Sequence, residues 1–422
     1  MSVEFSTWID DRTIHTMSTN SGAEKLAFQK WRHFKESFTP ELVARAIRES
    51  PSPVSRCVDP FGGSGTTALA CQFLGVKPIT VEVNPYLADL IEAKLAVYDT
   101  DLLAADLGRV LRRSRRLAKE AALVPPIEAP RTLVHPGVSG RWVFDSAVAR
   151  RLGALLGAVA SVDNPSRRLF RVLVGGILID VSNVVVNGKG RRYRKNWQTR
   201  PRKAADVEEL FTAAAKEAIQ DIHRFADRAC LEYTLLRGDA REETKNVEPC
   251  ELAVFSPPYP NSFDYTDVYN LELWMLGYLK DRHGNRHLRQ ATLSSHVQIQ
   301  RSYPPAPRGS ATLRSTIESL QKARPKLWNR RIPDMVGGYF SDLASVLLSL
   351  GTALGTSGQV WLVVGDSRYS GVSIPVAGIL EELAPDLGYR VVNIEPFRSM
   401  RASAQQGGMK ELAESLLVLE RA

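Results

Sequence analysis

Residues 56–67 read Arg56-Cys57-Val58-Asp59-Pro60-Phe61-Gly62-Gly63-Ser64-Gly65-Thr66-Thr67, and the next apolar run is Pro78-Ile79-Thr80-Val81-Glu82-Val83. Arg56–Val58 and Pro78–Val83 have the character of short buried strands, separated by a glycine-rich turn and a helical stretch, Thr67–Leu74. Strand, turn, helix and strand in that order make one βαβ unit, the building block of a parallel sheet. Glycines in the turn let the backbone pass close to a ligand, and a helix N-terminus favours an anionic group. Gly63, Gly65 and Ala68 fit a loose dinucleotide fingerprint, with acidic Glu82 closing the following strand. A nicotinamide-dependent oxidoreductase carries the same pattern, and a purely structural turn is a third reading. A P-loop is excluded, because no Gly-Lys-Ser/Thr follows.

Outward from this unit the alternation continues. Tyr233–Leu236, Leu252–Phe255 and Val360–Val364 read as further strands, and Arg390–Ile394 with Ser415–Leu419 as a terminal pair. Thr39–Ser50, Asp267–Leu279 and Pro375–Leu383 have helical spacing, the last with proline at its first position. Between Leu95 and Ala229 the pattern is helical throughout, over Leu102–Leu123, Ser146–Val162, Arg167–Val185 and Ala204–Ala229. Lys280–Pro333 is rich in Arg, Pro and Ser and has little periodicity. Strands alternating with helices predict an α/β, doubly wound and mostly parallel sheet, with a helical block and an Arg-rich block inserted into it.

The chain has 422 residues, 44% of them hydrophobic and 24% charged, which is ordinary globular composition with room for large insertions. A formal net charge of +9 favours an acidic polymer as partner without fixing it. Cys57, Cys71, Cys230 and Cys250 fall in no metal-ligand spacing, so reduced thiols and no metal site are expected. Ser2–Asn20 lacks the apolar core of a signal peptide, and no stretch is long and apolar enough for a bilayer. A soluble, cytoplasmic protein with no membrane partner is the expectation.

The residues Asp59 to Thr67 resemble the cofactor-binding motif of the S-adenosylmethionine-dependent DNA amino-methyltransferases, whose pattern is Asp-Pro-Phe-x-Gly-Ser-Gly-Thr. The resemblance covers roughly residues 34–95, 233–278 and 338–420, and leaves the helical block unplaced. It implies a class I methyltransferase (Rossmann-like) fold with a seven-stranded sheet, and S-adenosyl-L-methionine as cofactor. Phe61, Gly63 and Gly65 would lie against the methionine half, in a turn completed by Pro60, Ser64 and Thr66, with Asp59 facing the ammonium group. Glu82 would accept hydrogen bonds from the ribose hydroxyls, a task suited to an acceptor-only, bidentate group. Phe38, Thr39 and Pro40 would help hold the cofactor carboxylate, and Asp239 would contact the adenine ring.

Leu252–Phe255 runs directly into Ser256-Pro257-Pro258-Tyr259. Two prolines fix the backbone and remove two N–H donors, so carbonyls are left to point into a cleft, and the tyrosine adds a stacking face. These parts suit methylation of a planar exocyclic amine. Its delocalised lone pair becomes nucleophilic when acceptors hold both N–H bonds and bias the nitrogen toward tetrahedral geometry. On that logic Ser256 and the Pro257 carbonyl accept from the amine, and Tyr259 stacks on the base.

In the family that the motifs resemble, Ser-Pro-Pro-Tyr is usual for cytosine N4, whereas Asp or Asn in first place is usual for adenine N6. Site-specific methylation of a cytosine flipped from double-stranded DNA follows, with a cognate restriction or defence protein as partner. N6-adenine methylation, an RNA base as target and an inactive DNA-binding subunit stay open as alternatives. Pro249-Cys250 mimics a C5-methyltransferase nucleophile, but Cys250 precedes the strand that such a thiolate would have to follow.

The organisation expected is therefore a core in three pieces, residues 1–95, 233–279 and 336–422, with residues 96–232 as candidate target-recognition region and 280–335 as the second insertion. The densest basic run, Lys189, Arg191, Arg192, Arg194, Lys195 and Arg200, interleaves with Tyr193 and Trp197 and reads as a phosphate track with stacking residues. Arg282, Arg286, Arg289, Arg301, Arg308 and Arg314 form a second basic block. Asp264, Tyr265 and Tyr269 are expected to shape the pocket, and Gly365–Arg368 and Ser399–Gln406 to rim it.

Overall fold

Eleven strands are present in a computed structural model that describes residues 3–10, 12, 14, 16–20, 22–33, 37–119, 128–137, 139–187, 190–401 and 411–422. In chain order they are β1 (Arg56–Asp59), β2 (Lys77–Glu82), β3 (Val184–Asn187), β4 (Gly190–Tyr193), β5 (Thr234–Arg237), β6 (Cys250–Phe255), β7 (Leu354–Gly365), β8 (Ser367–Tyr369), β9 (Val372–Ile374), β10 (Tyr389–Arg401) and β11 (Glu411–Arg421). Seven of them form one sheet in the order β5-β2-β1-β6-β7-β11-β10. Neighbours from β5 to β7 are parallel, and β11 runs antiparallel between β7 and β10. From β1 the chain winds one way to β2 and β5, and from β6 the other way to β7. The crevice beyond the carboxyl ends of β1 and β6 is therefore the topological switch point, where open α/β sheets bind ligands.

Both faces of the sheet are covered, which is why its inner strands are continuous apolar runs. One face carries Cys57, Leu252, Val254, Trp361 and Val363, packed under helices 40–49 and 66–74. The other carries Val58, Ala253, Phe255 and Leu362, packed under helices 332–353 and 376–383.

The helical block shares the first of these cores instead of standing apart from it. Asp221 of helix 204–224 accepts hydrogen bonds from the Phe28 N–H at 2.9 Å and the Trp31 indole at 3.0 Å. The Tyr86 hydroxyl donates to the Val172 carbonyl of helix 166–177 at 3.2 Å. Gly175 lies so close to Tyr86 that a Cβ there would meet the ring at 2.4 Å.

Three local expectations differ. The helix read over Arg167–Val185 ends at Ile177, after Gly175-Gly176, and β-branched Val184–Val186 begin the β3–β4 hairpin. Asp267–Leu279 contains the end of one short helix, Tyr265–Val268, and a second, Asn270–Met275. The Arg-rich block is not featureless: helix 282–290 is capped by the Asp281 carboxylate and helix 311–322 by the Ser310 hydroxyl. No helix among the described residues is long and apolar enough to cross a membrane.

Candidate active site

A cavity of about 350 Å³ opens at the switch point, lined by the ends of β1, β2 and β6 and the turns that follow them. Asp59, Pro60, Phe61, Gly63, Ser64, Thr66, Glu82, Asp239, Phe38 and the whole of Ser256–Tyr259 line it. Gly65, Thr39 and Pro40 stand behind this wall. Gly65 caps helix 66–74 at φ 79°. A Cβ there would meet Ile91 at 2.9 Å, and one on Gly62 would meet Thr80 at 2.3 Å, so these two glycines let the turn lie flat on its support. Gly63, also at positive φ, faces the cavity.

Glu82 is clamped by two backbone donors, Gly63 N–H and Asn84 N–H, each at 2.7 Å. Burial nevertheless pushes its carboxyl up to about 7, with the negative charge of Asp59 adding to the effect. Asp59 accepts from the Phe61 N–H at 2.9 Å, and burial raises it to about 7 as well. Two buried carboxyls with no ion-pair partner among the described residues suit a ligand that brings an ammonium group and hydroxyl donors. Asp239 is differently placed. It caps helix 240–243 and is ion-paired with Arg241, which also reaches Asp342.

The Ser256–Tyr259 loop hangs from neighbouring strands. Ser256 Oγ donates to the Val363 carbonyl of β7 at 3.0 Å, so its lone pairs remain as acceptors. The Tyr259 hydroxyl donates to Glu414 at 3.0 Å, and burial together with that carboxylate pushes the phenol well above its ordinary range. The Tyr369 hydroxyl holds the Pro260 carbonyl at 2.9 Å. Of the expected rim, Gly365–Arg368 do not line the cavity. The side chains of 399–401 and all of 402–410 lie outside the described residues, so Ser399–Gln406 carries no account here.

A wall the sequence did not announce closes the cavity from the second insertion: Ala291, Thr292, Leu293, Ser295 and His296, with Ser18 and Ser37 opposite. Ser262, at φ 56°, docks the loop that follows β6 on this wall, its N–H donating to the Ser295 carbonyl at 2.9 Å. Buried Asp264 accepts from Arg289 Nε at 2.6 Å, beneath the lining residues Tyr265 and Tyr269. Burial alone would raise Asp264, but His296, Thr266 and Arg289 outweigh it and hold the carboxyl below its usual value. Burial pushes the His296 imidazole down. Arg301 is spent on the carbonyls of Gln290, Thr292 and Leu293. Arg289 and Arg301 are thus internal braces.

The basic run occupies the β3–β4 hairpin and the turn after it. β4 packs against helix 265–268, where Arg191 acts on Asp267, so the hairpin stands beside the cavity. Arg191, Arg192, Lys195 and Arg200 are exposed. Arg194 is not available in the same way, because it donates to the carbonyls of Ser182 at 3.0 Å and Ile179 at 2.7 Å. Tyr193 and Trp197 pack together, with Trp142 edge-on to Trp197 at 4.8 Å. Lys189 lies outside the described residues.

A sheet of this order, with its glycine turn after β1 and its clamped carboxylate at the end of β2, defines a class I methyltransferase whose methyl donor is S-adenosylmethionine. A family model described as DNA methylase matches residues 3–93. The chain is 24% identical to the type II methyltransferase M.BsoBI of Geobacillus stearothermophilus, over 94% of this chain and 86% of that one. It is 25% identical to the type II methyltransferase M.AvaI of Anabaena variabilis, over 92% and 85%. Among solved structures it is similar to the rRNA methyltransferase aviRa of Streptomyces viridochromogenes, with 12% identity, a TM-score of 0.29 and coverage of 91% and 85%. The family model and the two relatives matched over most of their length support the DNA amino-methyltransferase family, whose members act on N4 of cytosine or N6 of adenine.

Proposed function

We propose that this chain methylates the exocyclic N4 amine of a cytosine flipped out of double-stranded DNA, at a specific site, as the modification enzyme of a type II restriction or phage-defence system. The observation that carries the reading is the state of Ser256. Its hydroxyl proton is engaged by the Val363 carbonyl, and it stands in the same cavity wall as the Pro257 backbone and the Tyr259 ring. A neutral acceptor of this kind takes one N–H of the amine, and the Pro257 carbonyl takes the other. The amine's lone pair is thereby freed for direct attack, with no covalent enzyme intermediate. Bound S-adenosylmethionine supplies the electrophilic methyl group.

On the cofactor side, Glu82 receives the ribose hydroxyls, Asp59 the ammonium group, and the Gly63–Thr66 turn the methionine portion. Phe38 flanks the site, and Thr39 and Pro40 anchor it from behind. The Asp239 backbone region borders the adenine pocket, while its carboxylate is held by Arg241. On the nucleic-acid side, Tyr259 stacks on the target base, which at about 1–3 kcal/mol per base offsets part of the extrusion cost. Arg191, Arg192, Lys195 and Arg200 meet backbone phosphates beside the cavity, and the 96–232 block that carries them recognises the target. Serine at the head of the catalytic motif favours cytosine, and the names of the two full-length relatives support the type II setting.

Nucleoside mass spectrometry after incubation with labelled S-adenosylmethionine tests the reading. N4-methylcytosine in DNA is the expected product. N6-methyladenine would correct the base, and label confined to RNA would overturn the substrate class.

A further inference from the structure

Glu414 belongs to none of the motifs above. It sits on β11, is 2% exposed, and lines the cavity beside Tyr259. Its Oε1 accepts the Tyr259 hydroxyl at 3.0 Å, and its Oε2 accepts Arg398 Nε from the paired position on β10. Tyr259 in turn lies 3.4 Å from Ser256 Oγ, which β7 fixes through Val363. A hydrogen-bonded line thus runs from Arg398 through Glu414 to Tyr259, whose hydroxyl oxygen stands beside Ser256 Oγ. Because β7 and β11 are adjacent, with Val363 paired to Leu416 and Gly365 to Glu414, one strand pair locates both catalytic side chains.

We propose that Glu414 is a positioning residue for methyl transfer: by holding the Tyr259 hydroxyl it fixes where in the cavity the ring that stacks on the target base lies, and Arg398 holds Glu414 in place. The physical case rests on three points. A tyrosine after two prolines has a constrained backbone, but its ring can still swing about the Cα–Cβ bond, and a fixed partner at the hydroxyl, the far end of the ring, removes that freedom. The partner is a carboxylate on a sheet strand, which does not move with the loop. A buried carboxylate persists only with charge compensation, and Arg398 supplies it. The proposal rests on the reading of Tyr259 as the stacking face.

The test uses the full-length protein with Glu414→Ala, Glu414→Gln, Tyr259→Phe and the Tyr259→Phe/Glu414→Ala double variant. Glu414→Ala is expected to lower kcat about tenfold, the size of one good hydrogen bond, with the KM for S-adenosylmethionine unchanged. Glu414→Gln, which keeps an acceptor, loses less, and the double variant is no worse than the weaker single one. Wild-type kcat in Glu414→Ala, or fully additive losses, would overturn the assignment.

A second readout does not need turnover. With tyrosine labelled at Cζ with carbon-13, the Tyr259 signal, identified by its absence in Tyr259→Phe, should shift in both Glu414 variants. An unmoved signal sinks the proposal. Should the wild-type protein methylate no nucleic acid, the functional reading fails, and the carbon-13 shift alone decides whether Glu414 holds the ring.

Discussion

Lys94 Nζ lies 2.6 Å from the Ser64 carbonyl oxygen, so a buried amine stands directly behind the glycine-rich turn after β1. The same amine donates to Gln29 Oε1 at 2.9 Å, which ties the N-terminal segment to the turn. Burial lowers Lys94 from its ordinary 10.5 to about 7. The unfolded chain therefore holds a proton between those values that the folded chain has released, and the stability contributed by this group rises with pH across that window. Lys94→Met should remove this rise and leave two carbonyl acceptors unpaired. Urea unfolding is expected to show a loss of about 2 kcal/mol or more at pH 9.5, with a smaller gap at pH 7. Equal gaps at the two values would mean that Lys94 is charged throughout.

Glu82 has the opposite sign. Its carboxyl is raised from 4.5 to about 7, so the folded, cofactor-free protein keeps a proton that the unfolded chain loses, and the contribution to stability falls as pH rises through that range. Hydroxyl donors from a bound ribose favour the ionised form. Cofactor binding should therefore release a proton near neutrality and tighten from pH 6 to pH 8. Calorimetry in buffers of different ionisation heat measures the release directly. Glu82→Gln should remove the Glu82 share of it, leaving that of Asp59, and weaken binding about ten- to hundredfold, as loss of a charge-assisted hydrogen bond does.

Ser256→Ala and Tyr259→Ala separate chemistry from cofactor binding. Both should keep calorimetric affinity for S-adenosylmethionine within a few-fold while single-turnover methylation falls, by about tenfold to a hundredfold for lost stacking alone. Weakened cofactor binding in both would show that the loop supports the cofactor pocket instead of the target base.

The hairpin arginines divide into two groups. Arg191→Ala and Arg192→Ala should weaken DNA binding across all sequences and each reduce the slope of log affinity against log salt by about 1. Arg194→Ala should instead lower the melting temperature, because its guanidinium holds the carbonyls of Ile179 and Ser182. Fluorescence anisotropy at several salt concentrations, alongside thermal unfolding, distinguishes them.

The inner strands of the main sheet were legible because a parallel sheet covered on both faces writes itself as uninterrupted apolar runs, such as Val360–Val364. The turn after β1 and the loop after β6 were legible because their chemistry demands unusual residues in sequence, glycines in one and paired prolines in the other. Glu414, Lys94 and the 291–296 wall had no such signal. Each gains its place only when distant segments meet: Lys94 depends on Gln29, Glu414 on Arg398, and the wall on Ser262. The β3–β4 hairpin was hidden for another reason, since Val181 and Val184–Val186 continue an apolar run from the helix before them, and only the glycine pair at Gly175-Gly176 and the polar Asp180, Ser182 and Asn183 mark the change. The basic run was visible as charge, but charge did not reveal that Arg194, Arg289 and Arg301 are consumed internally.

The way Asp221 gathers Phe28 and Trp31 has a bearing on engineering. The helices between β2 and β5 are entered and left at the sheet, which invites the idea of grafting a foreign recognition block in their place. Yet residues 28–32 rest on those helices and also brace the turn through Gln29 and Lys94. A transplant that carried only the helices would strip the donor-binding half of its backing. Any chimera that is to bind its methyl donor must import the N-terminal strap and the helices as one inheritance.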